Sequence, residues 1–222
     1  MMMTAGRFGW MAAVAVAAVL SGCGGGGENT VNNSYQSAAA VGAEITTPTT
    51  ITDTRDGKVY KTVTIGGKRW FAENLNYAAK GSVCYENSPD SCDKYGRLYT
   101  WDDAMTACPA GFRLPTGYDW WILADDVGGR ETAGTKLKSS TGWKDDGNGT
   151  DEYGFAALPG GRGDNDGSFD RASAYGFWWS AIEVHTGYAI FFLMDYEVEH
   201  MGGNITDDIL SVRCVEDWLT PR

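Results

Sequence analysis

Cys108-Pro109-Ala110-Gly111-Phe112-Arg113-Leu114-Pro115-Thr116 separates the two clearest helix patterns of this 222-residue chain. Before it, residues 101–108 read as a helix. Thr100 is placed as N-cap, and Asp102 and Asp103 lie where the helix dipole favours negative charge. Pro109 ends that helix, because its ring clashes with the preceding turn and it has no N–H to donate. Thr116 then caps a second helix with Asp119 in its first turn. Trp120, Leu123 and Val127 fall at i, i+3 and i+7 on one face, and Gly128-Gly129 supplies the stop.

Working outward, residues 58–65 alternate Val59, Lys61, Val63 and Ile65 against Tyr60, Thr62 and Thr64, the period of a strand. Gly66-Gly67 is a two-residue hairpin signal, and residues 68–72 return as its partner. Residues 131–138 read as a short helix. From 142 to 154 glycine, asparagine and aspartate dominate, and short strands are expected at 155–158, 177–182, 188–196 and 209–215. The expectation is one α+β domain over residues 53–217. It has two main helices, short antiparallel strands and a long loop-rich region, with 218–222 as a tail.

The first 52 residues are of another kind. An apolar run over residues 10–20 follows Arg7 and closes on Leu20-Ser21-Gly22-Cys23, which looks like the lipobox of a bacterial lipoprotein. Residues 1–22 are then a cleaved signal peptide, and Cys23 carries lipid (diacyl or triacyl, palmitate among the chains). The run is about a dozen residues, short of the roughly 20 that span a bilayer. An uncleaved anchor and ordinary secretion remain the alternatives. Residues 24–52 are glycine, serine, threonine, asparagine and alanine with almost no large apolar side chain, which reads as a flexible tether. The expected location is the cell envelope, lipid-anchored to the outer membrane.

Removing residues 1–22 deletes one of the 18 basic residues and none of the 29 acids, so the mature balance is 17 − 29 = −12. An acidic chain without a basic patch argues against nucleic acid as a partner. Lipidation of Cys23 leaves four cysteines in an oxidising compartment, with three pairings open. Cys84 and Cys92 flank the short polar loop that holds Asn87-Ser88-Pro89-Asp90 and are natural partners, and that choice leaves Cys108 with Cys214. A closed loop of about 100 residues contributes roughly 4–5 kcal/mol in the chain-entropy model. With two histidines, His185 and His200, and no Cys-x-x-Cys, zinc is not expected.

Several stretches resemble one family. They begin with the run from Asp56 to Gly66 and Trp70-Phe71-Ala72-Glu73-Asn74-Leu75-Asn76-Tyr77. Tyr95-Gly96-Arg97-Leu98-Tyr99-Thr100-Trp101, the opening stretch from Cys108 to Thr116 and Gly134-Thr135-Lys136-Leu137-Lys138 continue it. Gly154-Phe155-Ala156-Ala157-Leu158-Pro159-Gly160-Gly161, Trp179-Ser180-Ala181 and Ser211-Val212-Arg213-Cys214-Val215 complete it. In this order they are similar to the Fibrobacter succinogenes major paralogous domain. The resemblance implies a C-type lectin-like fold, distantly related to formylglycine-generating sulfatase-modifying enzymes. It also implies that a cysteine ending the first helix pairs with one in the terminal strand, as Cys108 and Cys214 would. Function follows from such a fold only weakly.

The tripeptides by which calcium-dependent lectins hold sugar are missing. The best metal candidate is Asp164-Asn165-Asp166-Gly167-Ser168-Phe169-Asp170, with Asp164, Asp166 and Asp170 as calcium ligands. Aspartate, asparagine and glycine are also what a tight turn selects, and the turn is the leading reading. No other cofactor is expected. Nothing singles out a nucleophile or a pair of carboxylates, so the chain is read as a non-enzyme. Tyr153, Phe169, Tyr175, Trp178, Tyr188 and Tyr196 are the candidate ligand-binding aromatics, because sugar rings stack on exposed aromatic faces. Trp70, Trp101, Trp120 and Trp179 are assigned to the core. The resulting expectation is a lipid-anchored binding module that meets a polysaccharide or another envelope protein through residues 142–208. An enzyme of the formylglycine-generating type and a structural envelope lipoprotein are the alternatives.

Overall fold

The structure, a computed structural model, describes residues 49–196 and 202–218. The expected signal peptide, Cys23, the expected tether as far as residue 48, His200 and the tail from 219 lie outside the described residues. Within them, β1 (Thr49–Thr52), β2 (Val59–Ile65) and β3 (Lys68–Phe71) form an antiparallel meander. Gly66 and Gly67 turn β2 into β3 with φ of +57° and +76°, the left-handed pair of a type I′ hairpin.

After α1 (Pro89–Tyr95) and β4 (Leu98–Tyr99), the chain forms α2 (Trp101–Ala107), β5 (Phe112–Arg113), α3 (Gly117–Asp126) and α4 (Arg130–Leu137). Thr100 caps α2 through the Asp103 N–H, and Thr116 caps α3 in a reciprocal box with Asp119. The buried Asp119 carboxylate also accepts from Lys68 Nζ at 2.5 Å and Arg113 Nη1 at 2.7 Å, which fastens the start of α3 to β3 and β5. Burial alone would raise the Asp119 pKa, but hydrogen bonds from Arg113, Lys68 and Thr116 outweigh it and hold the carboxyl well below the usual range.

The later chain gives β6 (Arg162–Gly163), β7 (Phe169–Asp170), β8 (Tyr175–His185), β9 (Tyr188–Asp195), β10 (Gly202–Thr206), β11 (Leu210–Ser211) and β12 (Val215–Glu216). One five-stranded sheet runs β1-β2-β3-β12-β5, a second runs β10-β9-β8-β11-β4, and β6 pairs β7 alone. The long hairpin β8–β9 is buried on both faces along its first half. Trp178, Phe192 and Met194 enter a cluster with Trp70, Trp120 and Phe155, whereas Phe177, Trp179 and Phe191 enter another with Phe71, Tyr99 and Leu210. Burial on both faces is why Phe177-Trp178-Trp179 is continuously aromatic instead of alternating.

Residues 210–216 join the two sheets. β11 lies parallel to β8, β12 lies between β3 and β5, and Val212-Arg213-Cys214 crosses between them. Cys214 is bonded to Cys108, and Cys84 to Cys92. Arg213 is fully buried and donates to Phe155 O at 2.6 Å, Phe71 O at 3.2 Å, Ala156 O at 3.3 Å and Asn74 Oδ1 at 2.8 Å. Burial pushes its pKa down to about 9.

Several expectations change. The tether does not extend to Thr52, because Thr49–Thr52 pairs with β2; its β-branched residues favour an edge strand that needs little apolar burial. The polar loop at 87–90 opens α1, with Pro89 at its first turn and Asp90 beside it, a start signal the loop-like composition hid. Instead of two main helices there are four among the described residues. Residues 155–158 do not form a strand beyond one bridge from Ala157 to Lys138, since Ala156 is left-handed at φ +51°. The strand read at 209–215 is broken in two by the crossing. The loop-rich region carries the longest strands, and Trp143 within it is buried with its Nε1 donating to Ser139 Oγ and Ala157 O, both at 3.1 Å.

Two outcomes test this account. Arg213→Met removes the donor of three buried acceptors and of the half-buried Ala156 carbonyl, and is expected to cost about 2–4 kcal/mol in urea unfolding. Asp119 has a depressed folded pKa, so its stabilisation is present above about pH 4 and is lost as pH falls below that. Asp119→Asn should flatten the acid limb of the stability–pH curve, and an unchanged limb would remove Asp119 as its source.

Candidate functional site

The candidate site is an open cleft of about 260 Å³ lined by Thr100, Trp101, Asp102, Asn165, Gly187 and Asp207. Four separate segments build it. The start of α2 supplies the first three residues, the β6–β7 turn supplies Asn165, the β8–β9 turn supplies Gly187, and the connection after β10 supplies Asp207. Trp101 is partly buried, with its indole N–H held by Ser180 O at 2.9 Å, which fixes the ring plane. Thr100 Oγ1 donates to Asp103 Oδ2 at 2.7 Å while it caps the helix. Asn165 Nδ2 donates to Asp207 O at 2.8 Å, which ties two walls together and leaves the amide oxygen for a ligand. Asp102, Asn165 and Asp207 are exposed. A rigid aromatic beside side-chain acceptors can stack on the C–H face of a polyol and accept from its hydroxyls.

A second groove of about 280 Å³ lies between the start of β2, the turn after β3 and the end of α1, with Lys58, Tyr60, Glu73, Asn76, Lys94 and Tyr95 among its walls. Lys58 Nζ donates to Asn76 O at 2.5 Å, and Lys94 Nζ lies over the Tyr95 ring at 4.6 Å.

The six aromatics expected to bind ligand do not form one face. Trp178 and Tyr153 belong to the core: Trp178 is fully buried with its Nε1 donating to Asn74 Oδ1 at 2.8 Å, and Tyr153 packs in the same cluster. The alternation of β8 turns Trp178 inward while Trp179 serves the other cluster, so both are structural. Phe169 rests on Tyr85, with ring centroids 5.4 Å apart. Tyr175 stacks on Phe177 at 5.6 Å and meets Tyr196 edge-on at 6.4 Å. Tyr188 is exposed beside His185 at the other end of the hairpin, roughly 30 Å from Tyr175 at strand rise.

The calcium reading of Asp164, Asp166 and Asp170 is also corrected. The segment is the turn of the β6–β7 hairpin, with Asp164 N donating to Ser168 O at 2.8 Å and Asp166 Oδ1 accepting from Ser168 N at 2.8 Å. Asp170 is paired with Arg162 at 2.9 Å and Arg171 at 3.3 Å, and Arg162 also holds Asp208. Among the described residues no three histidine, cysteine or acidic side chains are grouped to hold a metal. Glu183 accepts the Gly187 N–H at 3.0 Å and shapes the hairpin turn.

The core assignment of Trp101 holds in part: it packs against the cluster of Phe71, Tyr99 and Leu210, and it also lines the cleft. Its place after a capping threonine and before two aspartates was visible, but that position also suits a core tryptophan. The cleft beside it forms only where Asn165, Gly187 and Asp207 arrive from far along the chain.

These features define a class: an α+β domain braced by two disulfides, with an aromatic cleft where distant turns converge. The chain belongs to the Fibrobacter succinogenes major domain family, whose profile matches residues 63–216. No curated protein and no solved structure matches the chain.

Because Trp178 is fully buried and Trp101 only partly, their substitutions should separate. Trp178→Ala is expected to lower stability by about 3–5 kcal/mol. Trp101→Leu should cost far less and quench less of the native fluorescence shift on unfolding. Equal losses of melting temperature would place Trp101 in the core after all.

Proposed function

We propose that this chain is a non-catalytic binding module of the bacterial cell envelope, anchored through lipid on Cys23 and recognising a polysaccharide at the Trp101 cleft. The observation that carries the reading is the fixed tryptophan ring beside Asp102, Asn165 and Asp207 in an open cleft. Saccharide recognition needs an apolar face for the ring and acceptors for its hydroxyls, and this cleft offers both. A C-type lectin-like reading of the fold is supported by the bridge from the end of α2 to the terminal segment and by the long stretch between α4 and β8. The binding face is thus narrower than residues 142–208, and one wall of it comes from α2.

Catalysis of the formylglycine-generating type is disfavoured by the state of the cysteines. All four in the described residues are in disulfides, so the thiol pair used by formylglycine-generating relatives has no counterpart among them. The lipid anchor rests on Leu20-Ser21-Gly22-Cys23 and on the polar stretch that follows. Such a stretch lets a folded domain sample the space beyond the membrane surface.

A glycan screen of the full chain in detergent tests the reading, with Trp101→Leu and Asp207→Asn as paired variants. Binding to a defined polysaccharide that drops about tenfold or more in both variants, with both still folded at the assay temperature, is the expected result. A screen without binding, together with a specific protein partner that ignores both substitutions, would overturn it. Cys23→Ser should release the protein from the membrane fraction, and its retention there would remove the lipid anchor from the account.

A further inference from the structure

The two disulfides differ in what surrounds their sulfurs. Cys84 and Cys92 both lie against Arg97, whose Nη1 is 3.7 Å from Cys84 Sγ and 3.5 Å from Cys92 Sγ. The guanidinium is fixed there, because Nε donates to Ser82 Oγ at 2.8 Å and Nη2 to Ser82 O at 2.9 Å. Cys84 is partly exposed, whereas Cys92 is 5% exposed. The eight-residue separation also encloses Glu86 and Asn87 at φ +54° and +55°, backbone that side-chain-bearing residues rarely adopt. In the other bridge Cys108 is also partly exposed and Cys214 is fully buried, but the sulfur of Cys214 belongs to an apolar cluster, and that bridge spans 106 residues.

We propose that Cys84–Cys92 is a thiol-exchange site, primed by Arg97, whose substrate is a dithiol reductant. A thiolate of the dithiol attacks Cys84 Sγ, the more exposed sulfur, and forms a mixed disulfide. The Cys84–Cys92 bond breaks, and its electron pair leaves on Cys92 Sγ as a thiolate facing the guanidinium. The second thiol of the reductant loses its proton to solvent and displaces Cys84. The dithiol is thereby oxidised to its disulfide, and two electrons reside on the cysteine pair.

The leaving thiolate decides the rate, because a lower thiol pKa makes a better leaving group and a nearby cation lowers that pKa. Cys92 has that cation. Opening the Cys108–Cys214 bridge would instead leave a thiolate on Cys214 among Phe71, Tyr99 and Leu210, an environment that disfavours it. Reduction at Cys84–Cys92 also relieves the left-handed pair at 86 and 87, which the short loop holds in place. The released segment leads into α1, whose Cys92, Asp93, Lys94, Tyr95 and Gly96 line the groove beside β2. Exchange at this bridge therefore reaches a surface outside the Trp101 cleft.

The test uses the oxidised full chain in detergent, dithiothreitol as the dithiol under native conditions, and alkylation read by peptide mass spectrometry. Cys84 and Cys92 are expected to be alkylated at least about tenfold faster than Cys108 and Cys214. Arg97→Gln should slow that reduction by about three- to tenfold and Arg97→Lys by less, while an intact Cys108–Cys214 bridge and unchanged near-ultraviolet dichroism report the fold. The pH profile of alkylation in the reduced protein should place a thiol below the ordinary value of about 8.5 in the wild type and not in Arg97→Gln. Opening of both bridges together, only as the protein unfolds, would overturn the proposal. So would reduction of Arg97→Gln at the wild-type rate or faster.

Discussion

Everything else in this domain depends on the crossing at Val212-Arg213-Cys214. Two sheets must share one body, and the chain achieves this by ending one strand beside β8 and starting the next beside β3. A crossing backbone cannot complete a ladder on either side, so its neighbours take up the polar groups. Phe71 N donates to Cys214 O, Leu75 N donates to Val212 O, and Arg213 reaches back to the carbonyls of Phe71, Phe155 and Ala156. A buried guanidinium is costly unless its donors are engaged. Here Nη1 and Nη2 are held by carbonyl and amide oxygens and the group lies over the Phe155 ring at 4.5 Å, while Nε is buried without a hydrogen-bond partner.

That arrangement explains why loop residues behave as core. Phe155 and Ala156 have no strand to belong to, yet their carbonyls are the acceptors of Arg213, so the segment is ordered from within. The same economy appears at Asn74. Its amide nitrogen satisfies Tyr95 O at 2.8 Å, and its oxygen accepts from both Trp178 and Arg213. The buried polar groups thus form one connected network between the two aromatic clusters. Cys108–Cys214 adds a covalent tie where the crossing meets α2.

The order so produced positions a site that the secondary structure alone would not suggest. The cleft draws on α2 and on turns at residues 165, 187 and 207, all delivered by strands anchored in the second sheet or the small hairpin beside it. Trp101 stands at the helix start with its N–H engaged by β8, so the ring is presented without freedom to swing away. Preorganised aromatic surface of this kind loses little conformational entropy on binding. The tyrosines that looked suited to recognition are instead distributed along a hairpin too long for them to act together.

Local chemistry was legible in the sequence wherever it is local in origin. The caps at Thr100 and Thr116, the Gly66-Gly67 turn, the helix stop at Gly128-Gly129 and the α+β class follow from side-chain reach, φ preference and periodicity within a few residues. The family pattern carried the order of the elements, and the spacing of the cysteines limited their pairing. The tertiary structure alone decided which aromatics are buried, because alternation states that Trp178 and Trp179 face opposite ways but not that both faces are covered. It also decided that the aspartates at 164, 166 and 170 shape a turn and meet arginines, and that Trp101 borders an open cleft. The physical reason is the same in each case. Burial and convergence are properties of segments that meet across the fold, and no window of sequence contains both sides of the meeting.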